Sequence, residues 1–371
     1  MPTDGDITLF VGGQSISGWQ SVRITRGIER CPNDFDISFT ELFPGDGSTV
    51  VVKPGDFCKV FIGSDLVITG YVDRLNPSID PQSHTVRITG RGKCQDLVDC
   101  AAEWPGGQIS GSSILQIAQK LAEPYGKDDK GVPISEDSLI TVTAVDSTVG
   151  PPIPQFNLIY GETAYEIIER VCRYRGLLAY ELPDGNLFLG RVSDMTAASG
   201  FTQGDNIQAA NIEYAMDQRF SMYQARLLSM ELWGDIPGPG GSYKDTQYDF
   251  PDPSVLRRRL KILIAETADV GMEICKLRAR WEASRRAGRS STLSLVVDSW
   301  RDKGGTLWTP NTLVPLDVAT CKIPQGTMWT IGAVTYRRDE NGTTAELTIM
   351  PPGAFLPEPP QPMPAFWDYH R

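Results

Sequence analysis

The chain has 371 residues, with 35 Lys and Arg against 46 Asp and Glu, a formal charge of −11. Apolar residues at 40% and charged ones at 22% exclude disorder along the whole chain, and the acidic balance argues against a main surface that holds DNA by counterion release. At about 150 residues per domain the length predicts two to three domains, and 36 Gly with 27 Pro predict many turns between short strands.

Residues 1–93 read as consecutive β-strands. The run from Asp6 to Val11 ends at the turn signal Gly12-Gly13. Trp19 to Arg26 and Phe35 to Thr40 alternate large apolar with polar residues, the period-2 mark of a half-buried strand. Phe57 to Ile62, Leu66 to Val72 and Thr85 to Thr89 add three more, so this region reads as a small sandwich or barrel.

From Lys93 the pattern changes. Gln95 to Ala102 predicts a short helix, ended by Trp104-Pro105-Gly106-Gly107. Ser112 is the expected N-cap of a second helix whose apolar face is Ile114, Leu115, Ile117, Ala118 and Leu121. Leu139 to Val145 reads as a strand inside a Pro- and Gly-rich stretch. Gly161-Glu162-Thr163 opens another helix, carrying Tyr165, Ile167, Ile168, Val171 and Cys172 and ending near Gly176. Leu177 to Leu182 and Asn186 to Gly190 predict a hairpin across Pro183-Asp184-Gly185, with the Asp-Gly pair at positive φ.

Residues 205–233 read as extended, followed by the loop Gly234 to Tyr243. A long helical region is expected from Pro253 to Ala287, interrupted at Gly271. Through Arg289 it holds ten cations (Arg257, Arg258, Arg259, Lys261, Lys276, Arg278, Arg280, Arg285, Arg286 and Arg289) against Glu266, Asp269, Glu273 and Glu282. That is +6, leaving −17 for the rest of the chain. Strands resume at Ser291 to Val297, Leu313 to Val318, Trp329 to Tyr336 and Thr344 to Met350, the last hairpin turning at Asn341-Gly342. From Pro351 onward the chain is Pro-rich and reads as extended or disordered.

Few patterns point to chemistry. The only histidines are His84 and His370, which leaves little room for the commonest catalytic base and metal ligand. The seven cysteines, Cys31, Cys58, Cys94, Cys100, Cys172, Cys275 and Cys321, contain no CxxC pair and read as buried apolar residues of a reducing compartment. The first residues show no basic segment leading into an apolar run, and no stretch approaches about 18 consecutive apolar residues. The expectation is folding in a cytoplasm, with no membrane-spanning segment.

Gly90-Arg91-Gly92-Lys93 stands between a strand and a helix, but it lacks the length and the Ser/Thr of a phosphate-binding loop. An exposed basic turn or a subunit contact is expected instead. Asp96, Asp99 and Glu103 form an acidic cluster that invites glycosidase-type chemistry, though acids in the first turns of a helix have a simpler electrostatic reason. The basic helix reads as a solvated face or subunit interface, because Trp281 alone interrupts it with an aromatic ring. Trp19, Trp233, Trp300, Trp308 and Trp329 read as core or interface anchors.

The order of segments carries a resemblance. Thr69-Gly70-Tyr71-Val72-Asp73, the strand Thr85 to Thr89, Gly90-Arg91 and Asp96-Leu97-Val98-Asp99 form a first block; Gly161 to Arg191 a second; and Arg280-Trp281-Glu282, Arg285-Arg286, Trp300, Trp308, Pro310 and Asn311 a third. Together they resemble the Mu-like phage tail protein P family, the baseplate hub proteins of contractile-tailed phages, over about residues 5–355. The Pro-rich tail matches no family feature.

The resemblance implies an α+β, multidomain protein with two β-barrel-like tube domains and smaller mixed α/β insert domains. The expected parts are residues 1–95, the first tube-like domain; 96–204, a mixed middle region; 205–234 plus 290–350, the second tube-like domain; 235–289, a basic helical insert; and 351–371, the tail. It implies a homotrimeric, pseudo-sixfold hub, not an enzyme, with no catalytic, cofactor-binding or metal residue. The expected partners are the central spike, the tail tube and other baseplate proteins, with DNA passing through without specific binding. The expected location is the virion baseplate, assembled in the host cytoplasm. A tail-tip cell-wall hydrolase using Asp96, Asp99 and Glu103 is the alternative, as is the hub of a non-phage contractile injection system.

Overall fold

Alternating apolar residues put most of the described residues up to Gly92 into extended chain. The computed structural model describes residues 6–40, 52–80, 84–145, 152–173, 176–227, 247–265, 271–340 and 342–355. Its first strands are β1 (Ile7–Val11), β2 (Gln14–Ile16), β3 (Ser21–Gly27), β4 (Asp34–Thr40), β5 (Phe57–Ile62), β6 (Asp65–Ile79) and β7 (His84–Gly92). In β1, Ile7, Leu9 and Val11 are buried while Phe10 faces solvent, as the period of two requires.

The middle region comprises α1 (Gln95–Asp99), β8 (Gln108–Ser112), α2 (Ile114–Ala122), β9 (Val142–Ala144), β10 (Ile153–Asn157), α3 (Ala164–Arg173), β11 (Leu178–Glu181) and β12 (Leu187–Gly190). Ser113, one residue later than expected, caps α2. Its Oγ accepts from the Gln116 N–H at 3.2 Å and its own N–H donates to Gln116 Oε1 at 2.9 Å, a capping box. At the end of α3, Gly176 at φ 60° and the bond from Leu177 N–H to the Cys172 carbonyl stop the helix where expected. The hairpin β11–β12 is present, but only Gly185 takes positive φ; Asp184 does not.

The remaining elements are β13 (Phe201–Thr202), β14 (Ile207–Tyr214), β15 (Met222–Leu227), β16 (Gln247–Pro251), β17 (Leu260–Ala265), α4 (Gly271–Arg289), β18 (Ser291–Val297), β19 (Leu313–Val318), β20 (Ile323–Asp339) and β21 (Gly342–Met350). The helix expected from Pro253 is corrected: α4 starts at Gly271. Leu260 to Ala265 pairs instead as a strand, parallel to β15. Its two isoleucines favour an extended backbone, and a waiting strand partner outweighs helix propensity. The extended residues after 205 divide between two sheets, since β14 joins the large sheet and β15 the small sheet β16-β15-β17. Trp233, the loop Gly234 to Tyr243, Glu266, Asp269, Asn341 and the tail from residue 356, with His370, lie outside the described residues.

Strands from both ends of the chain form one 13-stranded sheet, in the order β14-β18-β21-β20-β3-β4-β7-β6-β5-β1-β2, with β19 beside β20 and β13 beside β19. The central seam is the antiparallel pairing of β3 with β20, from Gly27 opposite Ala333 to Val22 opposite Arg338. One apolar core follows the sheet across that seam, from Leu9, Ile24 and Ile88 to Leu295, Val334 and Ile349. A second core joins α1–α3 to β15, β17 and α4.

A third, smaller cluster lies where these bodies meet. It holds Ile28, Leu178, Tyr180, Met350, Ala354 and Phe355. The expectation of an extended or disordered chain from Pro351 is therefore corrected for its first residues. Pro352–Ala354 forms a 3-10 turn, and Phe355 is 1% exposed because an aromatic ring this size is most stable out of water. Phe355→Ala should cost about 3–5 kcal/mol in a denaturant melt; a loss below about 1 kcal/mol would show that the segment is not part of the core.

Candidate functional site

Residues 90–99, Gly-Arg-Gly-Lys-Cys-Gln-Asp-Leu-Val-Asp, lead from the large sheet into the middle region. On the neighbouring strand Val72 pairs with Gly90 and Arg74 with Thr89, so Asp73 is the extra residue of a β-bulge. A bulge re-aims its side chain. The Asp73 carboxylate accepts from Arg91 Nε at 2.7 Å, while Arg91 Nη2 and Nη1 donate to Asp99 at 2.7 and 3.1 Å. One guanidinium thus ties β6, β7 and α1 together, and its hydrogen bonds to Asp99 and Asp73 hold its pKa above the usual value.

The expected acidic cluster is only partly assembled. Asp96 and Asp99 share α1, but the helix stops at Asp99 because Cys100 turns extended, and Glu103 stands exposed beyond it. Asp99 is committed to Arg91. Burial, reinforced by the charge of Asp99, pushes the Asp96 carboxyl up.

Lys93 corrects the expectation of an exposed basic turn. It is 3% exposed, and its ammonium donates to the carbonyls of Asp137 at 3.0 Å and Leu139 at 2.7 Å. Burial lowers its pKa, opposed by Asp184 and other nearby acids. Beside it lies Glu181, also buried, whose Oε2 accepts from the Asn33 N–H at 2.7 Å and Oε1 from the Cys94 N–H at 2.9 Å. Asn33 Nδ2 returns a bond to the Glu181 carbonyl at 3.1 Å. Burial pushes the Glu181 carboxyl up to about 7, against those backbone donors.

Two glycines are required by close approach at this junction. A Cβ on Gly92 would lie 2.0 Å from Glu181 Oε2. A Cβ on Gly185 would lie 2.6 Å from both the Thr69 carbonyl and Lys93 Cγ, which brings the hairpin tip of the second sequence block against the first.

The third block closes the same junction from the other side. Asn311 donates from Nδ2 to Tyr180 Oη and to the Arg191 carbonyl, both at 3.0 Å, and its Oδ1 accepts from Ser193 N–H at 2.9 Å. On α4, Glu282 bridges Arg278 at 2.9 Å and Arg286 at 2.7 Å, while Arg285 and Arg289 pair with Glu29. Arg278 and Arg285 both lie over the Trp281 ring, 5.2 and 5.1 Å from its centroid. Arg278, Arg285, Arg286 and Arg289 are therefore used inside the chain. Trp300 and Trp308 are buried, with their Nε1 groups bonded to the carbonyls of Thr344 and Ser299; Trp19 and Trp329 are buried too. They are core anchors, as expected.

The segment blocks therefore converge on seams between structural bodies. Three family models divide the chain at the same places. "Mu phage baseplate assembly protein GpP-like, N-terminal" matches residues 6–92; "Baseplate hub protein gp44-like, second domain" matches 94–191; and "Mu phage baseplate assembly protein GpP, fourth domain" matches 272–358. The first two meet at Lys93. The 43 kDa tail protein of prophage MuSo2 from Shewanella oneidensis is similar at 30% identity and a TM-score of 0.76, over 94% of this chain and 99% of that one.

The chain belongs to the Mu-like baseplate hub family.

The baseplate hub protein gp44 of Escherichia phage Mu is 29% identical over 358 residues, covering 94% of this chain and 89% of gp44. An Escherichia coli component of the type VI secretion system, described as structurally similar to the T4 tail proteins gp27 and gp5, shares the fold at 11% identity and a TM-score of 0.58, over 96% of this chain and 80% of that one. Like its family, this hub is a structural protein rather than an enzyme.

Residue types gave no warning of Asn33 or Glu181. The one available signal was a lone acid inside the apolar run Leu177 to Leu182, and only the fold shows what it meets. Gly92→Ala should destabilise the hub by more than about 3 kcal/mol in denaturant melts, as strain at a packed site demands. Glu181 generates a pH dependence. Its folded pKa is raised, so between about 4.5 and 7 the folded state holds a proton that the unfolded chain has released. Stability should then fall as pH rises through that window, by at most about 3 kcal/mol from this group. Glu181→Gln should flatten the slope, and an unchanged slope in pH-resolved thermal melts would contradict the assignment.

Proposed function

We propose that this baseplate hub assembles as a homotrimeric, pseudo-sixfold ring joining the tail tube to the central spike. DNA passes through it at ejection without specific binding, and other baseplate proteins surround it. Residues 1–95, and β14 with 290–350, serve as its two tube-like β domains; 96–204 is a mixed insert, and β15 joins β16, β17 and α4 in the other. The ring belongs to the virion and assembles in the host cytoplasm.

The observation that carries this reading is the set of family matches at residues 6–92, 94–191 and 272–358. The continuous sheet supports it: β3 and β20 hold the two β regions in one register, the rigidity an adaptor needs. The net charge of −11 suits a conduit, because like charge repels phosphate and lets DNA slide. A hydrolase using Asp96, Asp99 and Glu103 finds no support, since Asp99 is occupied by Arg91 and Glu103 lies off the helix.

Multi-angle light scattering of the hub, alone and mixed with its spike, tests the ring. The expected particle is a trimer of about 122 kDa, three times the 40.8 kDa chain, plus any bound spike. A 40.8 kDa monomer under both conditions overturns it.

A further inference from the structure

The small sheet β16-β15-β17 has one covered face and one open face. Tyr223, Ala225 and Leu263 share the covered face with Cys275, Ala279 and Ala283 of α4. Leu260, Ile262 and Ile264, at alternate positions of β17, occupy the other face and are 44%, 49% and 56% exposed. A strand with one wet face reads as an alternation of apolar and polar residues, whereas a run apolar on both sides is the mark of a strand buried on both sides. Leu260-Lys261-Ile262-Leu263-Ile264 is such a run, apolar at four of its five positions, and the chain itself covers one side.

β17 is also the end strand of its sheet, and among the described residues no strand pairs with its outer edge. Just before it Leu256 is 99% exposed, beside Arg257 and Arg258, which have no hydrogen-bond or ion-pair partner among the described residues. The loop that presents them is firmly rooted: Val255 is buried, and Arg219 and Asp252, both 6% exposed at the side chain, pair at 2.8 Å.

We propose that the outer column of β17, with Leu256, Arg257 and Arg258 beside it, is the surface by which one copy of this chain docks on an acidic face of the next. Charge selects the occupant. Residues 253–265 carry Arg257, Arg258, Arg259 and Lys261 and no acid, so a chain of −11 holds −15 elsewhere. A second copy therefore supplies the complement. Charge also bears on the symmetry: a two-fold contact centred on this patch would set these arginines against themselves, whereas a head-to-tail contact sets them against the acidic remainder of the next copy. Head-to-tail contacts form a ring when the rotation between successive copies closes, as the ring reading requires. The inference rests on the ring reading and names its contact surface.

The test compares wild type with Leu256→Asp/Ile262→Asp and with the control Ile79→Asp, which alters an equally open apolar residue, 80% exposed, on β6. All changed side chains are largely exposed, so matching far-UV circular dichroism and melting curves are expected. Light scattering and sedimentation should show wild type and Ile79→Asp as trimers, with association of the double variant weakened at least tenfold and the wild-type trimer loosened by added salt. A double variant that remains as trimeric as wild type overturns this inference alone, and so does equal dissociation of the Ile79→Asp control. A wild type that is monomeric with and without its spike overturns the ring reading, and this inference with it.

Discussion

A carboxylate placed out of water, with backbone N–H groups as its main partners, sets the arrangement of this hub. Glu181 takes its two donors from Asn33, beside β4, and from Cys94, at the start of α1, and it sits on β11 of the middle region. Burying that group is costly unless it is satisfied. The cost is offset only when three segments, distant in sequence, come into one register. Lys93 on the same stretch imposes a like condition, because its buried ammonium needs the carbonyls of Asp137 and Leu139. Apolar packing around them would tolerate small slips; directional bonds to a buried charge do not.

The bonds at this junction explain why weak sequence motifs keep company along the chain. The bulge at Asp73 aims a carboxylate at Arg91, and Arg91 reaches α1 through Asp99. Gly185 brings the hairpin of the middle region onto Thr69, and Asn311 reaches Tyr180 from the far side. Each residue is ordinary alone. Their shared task is to hold the large sheet and the middle region at fixed relative positions.

Charge takes on a different meaning once the partners are known. The +6 of residues 253–289 suggested a single basic face. Its α4 half instead neutralises Glu282 and Glu29 and stacks on Trp281, so it binds the chain to itself. The cations of residues 257–261 divide again: Arg259 and Lys261 lie over the Phe220 ring, while Arg257 and Arg258 face outward. A charge count along the chain cannot separate these fates, because an ion pair depends on distance in space.

The sequence by itself determined the local layer. Period-two alternation placed most strands of the large sheet, helical spacing and capping residues placed α2 and α3, and the order of weak motifs identified the family. These are properties of neighbours a few residues apart, which backbone sterics and side-chain periodicity govern directly. Tertiary structure decided which strands pair, that β3 meets β20, that Leu260 to Ala265 is a strand instead of a helix, and that Phe355 belongs to the core. It also decided that Lys93 and Glu181 are buried, and so that the Gly-Arg-Gly-Lys stretch is a junction. Each of these depends on a partner supplied from far along the chain, and hydrogen bonding and desolvation act only once the fold has brought that partner into contact.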